Sequence, residues 1–265
     1  MNLLPFGQLP PHTPRHFVPA DANFNDWPQL GALFDQLESR LLAATTVDAL
    51  EKTLLAWGEL SAALDEDSSR RYIAMTCHTD SAEAKKSYLD FVEEIEPRLK
   101  PRQFKLAQLF LQHPQRASLP KQRYEVYDRE TAVHVELFRE QNIPIETEET
   151  KLGQTYQELC GAMTVQFRGE ERTLPQMARH LEEPDRALRQ EAWELVAKRR
   201  LQDAPKIEDL FDGLSEQRAR IAANAGFANY RDYAFRSRCR FDYTPDDCLE
   251  FHAAIESEII PVATV

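Results

Sequence analysis

Residues 25–64 read NDWPQLGALFDQLESRLLAATTVDALEKTLLAWGELSAAL, and this stretch decides the fold class. Leu30, Leu33, Phe34, Leu37 and Leu41 recur at steps of three and four, which places them on one face of a helix. Val47, Leu50, Leu54, Trp57, Leu60 and Leu64 repeat the pattern directly afterwards. Asn25-Asp26 offers a capping side chain, and Pro28 sits where a first turn needs no amide donor. Two amphipathic helices in succession predict a helix-on-helix body.

The same period continues outward. A third helix is expected near Ser68 with Tyr72, Ile73 and Met75, and a fourth opens at Asp80 with Glu83 as a capping box. Its inward set is Ala84, Tyr88, Phe91, Val92 and Ile95, and Pro97 is read as its stop. Phe104, Leu106, Leu109 and Phe110 continue to the break at His113-Pro114, and a shorter stretch spans Tyr124 to Phe138. Asn142-Ile143-Pro144 reads as another break, before a helix carrying Leu152, Tyr156, Leu159 and Cys160.

At Met163, Val165 and Phe167 the period drops to two, and Gly169-Glu170 supplies a turn. A single β-hairpin is therefore expected at about 163–174. Further helices follow. One is short, with Met177 and Leu181 behind a Thr173/Gln176 box; one follows Pro184 with Trp193 expected in its core. A long one from about Pro205 to Ala225 carries Leu210, Phe211, Leu214 and Ile221, with Gly226 as its C-terminal stop. Asn229 caps the next turn, and Thr244-Pro245 opens the last helix, with Phe251, Ile255 and Ile259 on its inner face. The expected organisation is an extended proline-rich arm over 1–24, a helical bundle over 25–115, and a second helical part over 116–265. Phe6 and Phe17 are expected to pin the arm.

Among 265 residues, 44 acidic and 32 basic side chains leave a formal charge of −12, which removes the usual electrostatic support for nucleic-acid binding. No apolar run is long enough to span a membrane, and the N-terminus lacks the marks of a signal peptide. Cys77, Cys160, Cys239 and Cys248 fit no zinc knuckle or disulfide framework, so the cytoplasm is the expected compartment.

The search for chemistry is short. The histidines are His12, His16, His78, His113, His134, His180 and His252, and none begins an H-E-x-x-H motif. His12 and His16 are four apart, but Pro14 opposes the helix that would align them. Cys77-His78 and His134-Val135-Glu136 supply too few oriented groups for a thiol catalyst or a metal. The acidic pairs Glu93-Glu94, Glu148-Glu149, Glu182-Glu183 and Asp246-Asp247 read as solvated faces and helix starts. Arg199-Arg200 and the cluster Arg231, Arg236, Arg238 and Arg240 read first as intramolecular ion pairs, then as contacts to a partner segment, then as ligand recognition. Trp27, Trp57 and Trp193 read as core. No catalytic, cofactor-binding or metal-binding residue is assigned.

Three runs carry a family resemblance: EEIEPRLKP at 93–101, the segment 135–193 from VELFREQNIP through LRQEAW, and NAGFANYRDYAFRSRCRFDYTPDDCLEFH at 224–252. They resemble the oligoendopeptidase F branch of the M3 zinc metallopeptidases. The resemblance implies the multi-helical N-terminal part of a bowl-shaped fold, split by a channel that admits short peptides. It also implies a zinc ion held by H-E-x-x-H and a later glutamate, in a C-terminal half that has no counterpart here. The expected role is therefore one wall of the channel, inactive alone, with a C-terminal catalytic half as its partner. The alternatives are a helical binding module for a separately encoded catalytic half, and an enzyme using other chemistry.

Overall fold

The computed structural model describes residues 14–263, so Phe6, His12 and most of the expected arm lie outside the described residues. Asp26 accepts from the Gln29 amide at 3.3 Å and opens α1, Trp27–Ala43. The Thr46 hydroxyl does the same for the Ala49 amide at 3.2 Å, opening α2, Val47–Cys77. No new helix begins near Ser68, because α2 runs through it. Ion pairs one turn apart, Glu66–Arg70 at 2.8 Å and Asp67–Arg71 at 2.7 Å, hold that polar segment helical.

Ser81, not Asp80, caps α3, Ala82–Asp90, through the Ala84 amide at 3.1 Å. Pro97 does not stop the chain. The backbone widens into a π turn at Phe91–Ile95, and Pro97 falls in the opening turn of α4, Glu96–Leu111. A proline ring collides with the carbonyl four residues back, and the wider turn relieves that collision. The device recurs at the far end: α11, Pro245–Ala254, passes through a π turn at Ile255–Ile259 into α12, Ile260–Ala263, again with a proline two residues beyond.

Between these lie α5, Lys121–Leu137, and α6, Ile143–Gly161. The break expected at Asn142-Ile143-Pro144 falls between α5 and α6, and these residues open α6. Pro144 occupies a position whose amide has no intrahelical partner anyway. The hairpin forms as expected from β1, Thr164–Phe167, and β2, Glu170–Thr173, with Val165 opposite Arg172. Its turn is Arg168-Gly169, one residue earlier than expected, and both residues have positive φ (52° and 85°). That matches the two-residue turn whose twist suits paired strands.

The Thr173/Gln176 box caps α7, Leu174–Ala178, and Asp185 caps α8, Arg186–Gln202. Next come α9, Ala204–Asn224, and α10, Tyr230–Ser237, separated by Gly226 at φ 89° and capped by Asn229.

One large core joins Val18 and Phe24 to the inner faces of α1, α2, α4 and α5, with Leu37, Leu50, Leu60 and Phe110 wholly buried. Trp57 belongs to it, and Trp27 and Phe17 pack against its edge. A second, smaller core holds Val165, Phe167, Met177 and Ala192. Trp193 is not in either core. It is 62% exposed, and Tyr156, Leu181, Phe211, Phe251, Ile255 and Ile259 are exposed with it. On α8 the inward position falls to its neighbour Ala192, which is fully buried. Periodicity identified these apolar faces correctly, but no described element covers them.

Candidate functional site

A cavity of about 660 Å³ opens among α2, α4, α5, α6 and α10. Its apolar wall includes Leu54, Ala107 and the stacked rings of Phe104 and Phe138, whose centroids lie 4.1 Å apart. Trp57 meets Tyr127 edge-on at 6.3 Å. Burial pushes the Tyr127 phenol above its ordinary pKa, so it stays neutral. Tyr233 is pushed up to about 12, first by burial and then by the carboxylates of Glu146 and Glu149 and the Tyr230 ring; Arg139 pulls the other way.

The polar rim is sparse. Lys100 pairs with Glu146 at 2.5 Å across from α4 to α6. Glu96, one turn before Lys100, is held above the usual carboxylate range by burial and by Glu146, against the pull of Lys100. Arg139 follows α5 and donates to three backbone carbonyls: Phe138 at 2.7 Å, Glu136 at 2.9 Å and Ala225 at 3.4 Å. Behind it, buried Asn142 donates to the Ile221 carbonyl at 3.2 Å and accepts from Asn224 at 2.7 Å. Those bonds tie the start of α6 to the end of α9.

Gly58 lines the cavity from mid-α2. A glycine there costs the helix about 1 kcal/mol relative to alanine. Nothing lies within 4 Å of where its Cβ would be, so no close packing calls for it.

The residues weighed from sequence mostly disperse. His134 lines the cavity, whereas Glu136 turns away to pair with Arg236 at 2.5 Å. Cys77 and His78 are exposed at the end of α2, and His78 serves as its C-cap. Of the arginine cluster, Arg231 pairs with Asp232 at 2.9 Å, and Arg240 lies over the rings of Phe235 and Tyr243. Arg199 pairs with Asp203 at 2.5 Å. Arg199, Arg231 and Arg236 thus make the intramolecular ion pairs expected first, whereas Arg240 stacks on rings. Among the described residues, no three His, Cys, Asp or Glu side chains converge to hold a metal. No helix among them is long and apolar enough to cross a membrane.

Arg139, Asn142 and Gly58 went unnoticed in the sequence. Of the three, only Gly58 carries a local signal, a glycine inside a strongly periodic helix.

Residues 17–138 match the Peptidase M3 N-terminal domain family. No curated protein matches the chain. Three solved structures do. A protein assigned as an oligoendopeptidase F superposes with a TM-score of 0.85 at 24% identity, over 94% of this chain and 44% of its own. Another so assigned, from Bacillus anthracis str. Ames, gives 0.83 at 21% identity, over 92% and 45%. PZ peptidase A, crystallised with an inhibitor, gives 0.82 at 24% identity, over 91% and 44%. The chain thus spans less than half the length of each of these structures.

Proposed function

We propose, for a chain whose N-terminal domain is homologous to that of the M3 peptidases, that it forms the non-catalytic wall of an oligoendopeptidase's peptide channel. The carrying observation is the asymmetry of coverage: nearly all of this chain finds an equivalent in structures that are more than twice as long. On this reading zinc and its activating glutamate belong to a separate C-terminal half, and short peptides are the substrates of the pair. The exposed apolar side chains of α8, α9 and α11 would then face that half. Trp193, Phe211, Phe251 and Ile259 are large, and burying such groups against a partner is favourable by about 25 cal/mol per Å² of apolar surface. Four free thiols suit the cytoplasm, where we place the protein.

The test mixes the purified chain with a separately expressed C-terminal half from a full-length relative. Sedimentation should show a one-to-one complex, and quenched octapeptide-scale substrates should be cleaved only by the mixture and only with zinc. Chelator-sensitive turnover by the chain alone, or two species that sediment independently, would overturn the reading.

A further inference from the structure

We infer that the cavity between α2, α4, α5 and α10 is a binding site for a small carboxylate carried on an aromatic body. The inference goes beyond the wall role and does not require a catalytic half. Its volume of about 660 Å³ is in the range of small-molecule sites, which are apolar cavities with a few convergent polar groups.

The stacked Phe104 and Phe138 rings and Trp57 offer flat apolar surface to an aromatic ligand. The charge that would orient it is Arg139. A guanidinium has five N–H donors, and this one spends three contacts on backbone carbonyls while making no ion pair among the described residues. The neighbouring charges do not compete for it: Lys100 and Glu146 neutralise each other at 2.5 Å, and Glu136 is taken by Arg236. A ligand carboxylate thus has one cation open to it, and charge-assisted bonds to arginine are the strong ones.

Gly58 is the independent sign that the space is kept open. A helix interior disfavours glycine, nothing packs against its missing side chain, and it lines the cavity.

Two sources share this chemistry: a free aromatic acid and the C-terminus of a peptide ending in an aromatic residue. Calorimetric titration of the full chain separates them, using 3-phenylpropionate, its neutral amide, and Gly-Gly-Phe with a free or amidated C-terminus. At least one free carboxylate should bind tenfold or more tightly than its amide. Tight Gly-Gly-Phe identifies the peptide end as the ligand, and tight phenylpropionate alone identifies the free acid. Arg139→Gln should abolish the preference for the carboxylate. Because Arg139 also caps backbone carbonyls, Gly58→Phe provides a second variant, which adds a large side chain to the cavity lining from a position with open space around its Cβ. It should keep its circular dichroism spectrum and lose at least tenfold in affinity. Equal affinity for acid and amide, no binding of any probe to the folded chain, or a folded Gly58→Phe that binds unchanged would overturn the proposal.

Discussion

Glu59 accepts from three consecutive amides, His16 at 3.0 Å and Phe17 and Val18 at 2.7 Å each, and so anchors the entering chain to α2. Burial works against its charge, but the three donors outweigh that and hold the carboxyl below its ordinary range. The folded state therefore binds the proton more weakly than the unfolded one. The stabilisation is fully present above the unfolded pKa of 4.5 and is lost as pH falls through the lowered folded value. Glu59→Gln should cost about 1–2 kcal/mol at neutral pH in denaturant unfolding, a modest figure because solvent reaches the group. The gap between variant and parent should close under acid. Trp193→Ala behaves oppositely to what its apolar stripe suggests. At 62% exposure the change should shift unfolding by less than about 1 kcal/mol, yet it should weaken association with the C-terminal half at least tenfold. The caps Asp26, Asn229 and Thr244 were legible because a cap acts within one turn. Glu59 was not, because its partners lie more than forty residues away and nothing local announces them.

Helix existence and the hairpin were readable from period alone, and the errors fall on punctuation. Ser68 and Pro97 both read as boundaries, and each was absorbed: by ion pairs along α2 and by a π turn. The π turn can be tested as a spacing device. It holds one residue more than regular helix needs, so deleting exposed Glu94 should restore α geometry and keep both flanking faces aligned. The loss should be below about 2 kcal/mol. Deleting exposed Lys105 from regular α4 instead rotates everything beyond it by roughly 100°. That swings Leu106 and Phe110 out of the core and should cost more than about 4 kcal/mol, or prevent folding. Thermal and denaturant melts of the two deletions decide between these outcomes.

At the scale of the molecule, the cavity draws on positions from Leu54 to Ser237, an assembly that no spacing rule encodes. No site was legible in the sequence for that reason, although the mainly helical fold around it was. The apolar faces were legible as well, but whether a face is covered depends on chain elsewhere, so Trp193 and Phe211 are exposed where their stripes suggested core. Of the two cores, the larger ties residues 18–124 into one body, whereas the smaller rests on four buried side chains from the hairpin, α7 and α8. Parts of a protein open independently when few buried contacts join them. Differential scanning calorimetry of the chain should record two heat-absorption peaks, the smaller at lower temperature, and merging into a single peak would show that the cores are coupled. A protease added between the two transitions would then clip the region around 163–200 first. The surviving fragment would hold the whole of the larger core, marking the N-terminal bundle as the portion able to stand alone.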